Sequence, residues 1–383
     1  MTRLSRTFIL FLSTFMAIAC STTHYKADPV TIHVDLKSQE PKSIVIPNNL
    51  SDAELFDLGF EKYSKDERDY ALAYFTALVI RFPNSLHYSD SAYNAGLILQ
   101  RQTEFQAAIE MYQVVIGANQ ERKDVLDAYF RVLACYYERK KWRATLDIIT
   151  TIRSEWGSLT TEDRVEMDVR EGVSLFMLNQ HDSAKEKLRA AFSDYQLGVR
   201  RGDVINEYPG AMAAHYLGLA ERKKFEAVVL ELGSKEEVMK LLENKAQHLQ
   251  QAQDWFLKSI KQDNAYWATA SGHQIGRLFH DFYMSIRNVP APPELQAQPE
   301  EVEMYRCMLL DMVRVLLKKA MRIYSHTIDI GRRLRVSNHW VKQAKADMKQ
   351  VEKLYLDDMK ACEDVLPTNP PPENTDSHTD SSR

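Results

Sequence analysis

The sequence predicts an all-α protein, a right-handed solenoid of helix pairs with long C-terminal capping helices. Three observations carry this expectation. A small residue recurs with an alanine twelve positions later and a large apolar residue four beyond that. Apolar residues keep a helical period from residue 51 nearly to 366. Strand-like runs are confined to residues 30–36 and 43–46, ahead of that region. The order read from the chain is a signal segment over 1–19, a lipidated tether over 20–50 and a repeat array over 51–200. A looser region with long helices follows over 201–366, and then a disordered tail over 367–383.

The signal segment has Arg3 and Arg6 ahead of an apolar run from Phe8 to Ala19, the layout of an export signal and too short for a comfortable transmembrane span. Ala17-Ile18-Ala19-Cys20 resembles the lipobox of bacterial lipoproteins, in which the cysteine is acylated and becomes the new N-terminus. More than one acyl chain at a residue holds a protein firmly to a bilayer. Ser21 follows the anchor instead of Asp, which by the same resemblance favours the outer membrane, with the chain facing the periplasm. Residues 21–50 are polar, with Pro29, Pro41 and Pro47, and read as an extended tether with room for one edge strand.

Ser51-Asp52-Ala53-Glu54 is a capping box, so the first helix starts there. Leu55, Leu58, Gly59, Ala71, Phe75, Leu78 and Pro83 form the first repeat. Gly59 and Ala71 let two helix backbones approach, Phe75 fills the gap between them, and Pro83 ends the second helix. Gly96, Ala108 and Tyr112 repeat this spacing. A weaker third unit holds Leu133, Ala134, Tyr136, Trp142, Thr145 and Ile149, and Gly172, Ala184 and Leu188 return to form. A fifth unit is expected from residues 211–218, paired with a long helix carrying Ala252 and Phe256. Beyond Lys235 the spacing loosens. Pro290-Ala291-Pro292-Pro293 breaks the chain, and Pro299 with Glu300 and Glu301 suits a new helix start. Leu310, Val313, Leu317, Ala320 and Tyr324 make an apolar stripe, and Trp340, Ala344, Met348, Val351 and Tyr355 mark a last amphipathic helix suited to cap the array. The tail after residue 366 is polar and Pro-rich, without an apolar anchor.

The spacing of residues 51–200 resembles that of tetratricopeptide-repeat (TPR) lipoproteins of the Gram-negative envelope, among them the TPR lipoprotein of the outer-membrane β-barrel assembly machinery. Arg81-Phe82-Pro83-Asn84-Ser85, Ser91-Ala92-Tyr93 with Gly96, and Phe105, Ala108-Ile109 and Tyr112 carry that likeness. The resemblance implies a lipid-anchored periplasmic scaffold that binds envelope proteins in outer-membrane assembly, cell-wall or motility complexes. An activator or adaptor of a peptidoglycan-remodelling enzyme is the alternative. It also implies that the first helix of each repeat lines a concave groove, where the matching positions carry Phe56, Phe60, Tyr63, Tyr93, Leu97, Phe130, Tyr137, Val169, Val173 and Phe176. These residues suit either an aromatic partner-binding groove or the core between neighbouring repeats. Arg101 is the one cation found among the mapped positions, so the Lys and Asn arrangement that clamps a terminal carboxylate is not expected.

Chemistry is not indicated. The chain of 383 residues has a formal charge of −4 and no basic stripe, which argues against nucleic acid. It has no HExxH, GxSxG, phosphate-binding glycine loop or paired CxxC. The expectation is therefore no enzyme, no cofactor and no metal. His273 and His280, with Asp281 adjacent, fall two turns apart on one helix face; metal ligands come at closer spacing, so a polar face is expected. With Cys20 assigned to lipid, Cys135, Cys307 and Cys362 are too scattered for a disulfide framework. Buried inert thiols are expected, with a Cys307–Cys362 bridge as the alternative in an oxidising compartment.

Overall fold

The computed structural model describes residues 44–118, 122–231, 235–363 and 365. Cys20, the signal segment and the tail lie outside the described residues. Among those described there are thirteen helices and no strand, so residues 44–46 do not form the edge strand their pattern allows. The chain divides into two compact units, ending at Leu159 and beginning at Thr160.

The first unit contains α1 (Asp52–Ser64), α2 (Arg68–Arg81), α3 (Tyr88–Arg101), α4 (Phe105–Gly117), α5 (Arg122–Glu138) and α6 (Trp142–Glu155). The capping box forms as the sequence requires: Ser51 Oγ accepts from the Glu54 backbone, and Glu54 accepts from the Ser51 backbone at 2.8 Å. Each successive pair packs through one contact. A Cβ on Gly59 would lie 2.7 Å from the Phe75 ring, and one on Gly96 would lie 2.7 Å from Tyr112. Only a bare backbone lets those rings lie flat against the first helix, and both rings are fully buried. The third pair inverts the volumes: Leu133 stands at the glycine position and Ile149 at the aromatic one, both buried.

The turns within pairs repeat as well. Asp66, Thr103 and Lys140 each have positive φ, and each follows the glycine position by seven residues. The next amide then donates to the carbonyl five residues back, as Glu67 does to Lys62, Glu104 to Leu99 and Lys141 to Tyr136, each at 2.9 Å. This is a Schellman C-cap made without glycine. It satisfies carbonyls that the helix end leaves open and aims the second helix back along the first.

The second unit contains α7 (Thr161–Met177), α8 (His181–Arg201), α9 (Tyr208–Ala227), α10 (Lys235–Ile260), α11 (Ala265–Arg287), α12 (Pro299–Arg333) and α13 (His339–Ala361). The division between units thus falls at 159/160, inside the span whose sequence spacing reads as one repeat array. The pair α7/α8 shares the sequence spacing of the earlier repeats, yet α8 packs on α9: the ring of Tyr195 lies against Gly210, and Lys185 forms an ion pair with Glu221.

The same rule governs the long helices. Gly172 meets Leu188, Gly218 meets Phe256, and Gly276 meets Tyr324. Ala184, Ala252 and Ala320 each stand four residues before the filling side chain, all fully buried. The expected fifth pair is α9/α10. The stripe on α12 belongs to a sixth pair with α11, and α13 packs against both of them. Cys307 and Cys362 are joined in a disulfide that ties α12 to α13. The expected inert thiols are thus replaced by the bridge, because antiparallel packing of the two helices brings cysteines 55 residues apart to a Cα separation of 5.4 Å. Cys135 is free and buried.

Candidate functional site

The candidate site is the face that the first helices of the pairs present in the first unit. It is built from α1, α3 and α5, which the alternation of helices places side by side. Tyr63 on α1 faces Arg101 on α3. Tyr93 on α3 donates its hydroxyl to the fully buried carboxylate of Asp127 on α5. Arg131 on α5 donates from Nε to the Tyr93 hydroxyl at 3.2 Å and lies 3.5 Å from Asp127. Arg68, at the start of α2, is 7% exposed, with Nη2 2.6 Å from the exposed Asp66.

Three guanidinium groups therefore bear on one small region that holds a single buried carboxylate. Burial lowers the pKa of Arg68 and of Arg101; the charge of Arg101 lowers Arg68 further, and that of Arg131 lowers Arg101. Burial also works against the Arg131 charge, but Tyr93 and Asp127 more than offset it, so this pKa stands above its ordinary value. The Tyr63 phenol is pushed up to about 12 by burial, against the pull of Arg101, Arg68 and Arg131. Arg68 Nε and Arg101 Nη1 are buried with no hydrogen-bond partner among the described residues. A buried donor left unsatisfied is costly, more so on a charged group.

The aromatic positions divide in two. Phe60 is 45% exposed and Phe56, Leu97 and Tyr137 are half-buried, with Phe56 stacked on His87 at 4.3 Å. The rings of Tyr63 and Tyr93 are in the core, and Phe130 is 1% exposed. For Phe130 the core reading of its position holds. Phe176, Val169 and Val173 are buried in the second unit, where Phe176 packs with Ala184 and Ala220. The physical reason is size: a ring that fills the space between neighbouring pairs gains more by burial than by waiting in a groove. Sequence mapping found Arg101 and missed Arg68 and Arg131. Arg131 sits one residue after Phe130, on the same helix face as Asp127 four residues earlier, a signal that an i, i+4 reading of charge would have flagged.

The equivalent face of the second unit is stitched shut. Arg222 on α9 donates to Glu226 at 2.8 Å and to Asp281 at 2.6 Å, and also to Gln274. His215 shares a 2.8 Å hydrogen bond with Ser271, and His273 shares one of 2.8 Å with Asp347 on α13. Arg287 grips both oxygens of Asp358, which also accepts from Tyr283 at 2.6 Å. Asp281 is thus committed to Arg222 and not aligned with His273 and His280 as a ligand set. Among the described residues no group of three His, Cys, Asp or Glu is placed to hold a metal ion, and no helix is long and apolar enough to cross a membrane.

No protein-family model matches the chain, and no curated protein matches it. Solved structures align with it at low identity. A TPR protein from Parabacteroides merdae is 13% identical, covering 80% of this chain and 98% of its own at a TM-score of 0.37. A TPR protein from Bacteroides fragilis is 12% identical, covering 79% and 99% at 0.28. The apo form of RapI is 8% identical, covering 82% and 99% at 0.43. Similarity at this level lends no weight to any particular function.

Proposed function

We propose that this chain is a lipid-anchored, periplasm-facing scaffold of the outer membrane, whose first unit binds a carboxylate-bearing segment of an envelope protein. The carrying observation is the pair of buried guanidinium N–H groups without an acceptor, Arg68 Nε and Arg101 Nη1, together with the exposed ring of Phe60 on α1, the helix that carries Tyr63. Folding alone does not require those charges, since an apolar side chain of similar volume would avoid the desolvation cost. A partner that supplies an anion recovers that cost on binding, and aromatic anchors at its edge add contact area. The lipobox-like Ala17-Ile18-Ala19-Cys20 supports the anchor, and Ser21 supports outer-membrane sorting.

The test is in-cell crosslinking with mass spectrometry on Arg68→Gln/Arg101→Gln. The variant should lose a protein crosslinked to the parent while its circular dichroism stays unchanged. An identical partner list would place the binding surface elsewhere. For the anchor, mass spectrometry of the mature N-terminus should find acylated Cys20; an unmodified residue there would defeat that part of the reading.

A further inference from the structure

The outer face of α12 carries a feature that helix pairing within the chain leaves unused. Met304, Met308, Met312 and Val315 are 43%, 55%, 68% and 48% exposed. They follow one another by four, four and three residues, so they form one continuous stripe on the helix. Their neighbours Cys307, Leu310 and Leu317 point the other way and are buried. Exposed apolar side chains scattered singly need no explanation, but a stripe of four along three turns does.

Charge along the same face is segregated. Glu300 and Glu301 lie at its N-terminal end, and Lys318, Lys319 and Arg322 lie at its C-terminal end, where Lys318 also stands over the Tyr355 ring and Lys319 over that of Phe279. Two such helices laid antiparallel about an axis near Leu309 and Leu310 are complementary throughout. Met308 meets Met312 of the second copy, Met304 meets Val315, and Glu301 meets Lys319. Asp311 falls near the axis, where its charge is already matched by Arg314 at 2.9 Å. A bilayer is a poorer occupant, because anionic headgroups would repel the acidic end. Residues 366–383 are polar and bring no apolar side chain beyond Leu366 to cover methionines.

We propose that the outer face of α12 is a self-association surface through which two copies of this chain pair antiparallel, with the Met304, Met308, Met312 and Val315 stripe at the centre and Glu301 against Lys319 at each end. This rests on the second unit alone and is independent of what the first unit binds. Isologous pairing of one patch with itself is the commonest route to a closed dimer, and the polarity of the charges sets its direction.

The test uses the full chain in cells, with a photoreactive phenylalanine analogue at position 312 and two differently tagged copies. The expected product is an adduct of twice the chain mass, carrying both tags and joined to the 304–315 segment of the second copy. Glu301→Lys and Lys319→Glu should each lower its yield about fivefold or more. Both changes in one chain restore the pairing with the charges exchanged, so the yield should return. An adduct joined to lipid, to a different protein or to residues 366–383 of the same chain would overturn the proposal. So would a two-tag adduct indifferent to the charge reversals, or one that the double change fails to rescue.

Discussion

The two units share one packing rule and use the face beside it differently. In the second unit the cations on that face are matched: the buried Arg222 with Glu226 and Asp281, and the half-buried Arg287 with both oxygens of Asp358. In the first unit Arg68, Arg101 and Arg131 all bear on Tyr63, only Arg131 reaches the buried carboxylate of Asp127, and the other two keep buried N–H groups unanswered. Identical helix pairing thus yields one face closed by its own hydrogen bonds and one left with an unspent positive charge. The closed face is held by its network; the open one has capacity for something else.

The largest expected difference is in acid. His215 lies in the second unit among Phe256 and Trp267, and burial pushes its pKa down to about 3. Its folded pKa is below the unfolded one near 6.5, so the neutral ring stabilises the fold fully above that value. The contribution is lost as pH falls from about 6.5 toward 3, and amounts to something on the order of 5 kcal/mol. His273 is depressed by burial in the same direction. Amide exchange measured between pH 7 and 4 should therefore show the second unit opening first, and His215→Phe should flatten that response. Equal loss of protection in both units would mean that His215 does not set the acid sensitivity of the second unit.

The arginines of the two units should also differ in what they contribute to stability. Arg222→Met leaves the buried Gln274 and the half-buried Asp281 without this donor and should cost about 1–3 kcal/mol, as expected for a buried polar group left unsatisfied. Arg101→Met removes a donor that has no full complement and should be near neutral, or stabilising by about 1 kcal/mol. Denaturant midpoints of the two variants decide the matter. Similar losses from both would mean the first-unit arginines are satisfied in the fold.

The smallest effect lies in the turns. Thr103 and Asn179 hold equivalent positions, both at φ 62°. A β-branched residue is strained there, whereas asparagine tolerates that region. Thr103→Gly should raise stability by about 0.5–1 kcal/mol after the flexibility that glycine adds to the unfolded chain, and Asn179→Gly should gain nothing. A thermal melt that shifts equally for both would remove the turn from the list of differences.

What the sequence determined by itself is local. The Ser51 cap, the glycine-to-ring spacing of the short pairs and the helical period depend on residues within one or two turns, or within one hairpin of fixed length, so their geometry follows from spacing alone. The aromatic positions were legible as important, but not as core or surface. Tyr63, Tyr93 and Phe130 have the same pattern as Phe56 and Phe60, and only the packing of neighbouring pairs covers the first three more deeply. The rest was decided by tertiary structure. Gly276 and Tyr324 obey the repeat rule across a separation three times that of Gly59 and Phe75, because α11, the connection after it and the first turns of α12 lie between them. Cys307 and Cys362 pair because α12 and α13 run antiparallel, and Arg68 joins Arg101 and Arg131 because three helices converge. Contacts of that kind depend on where whole helices are laid down, and no periodicity within one helix records it.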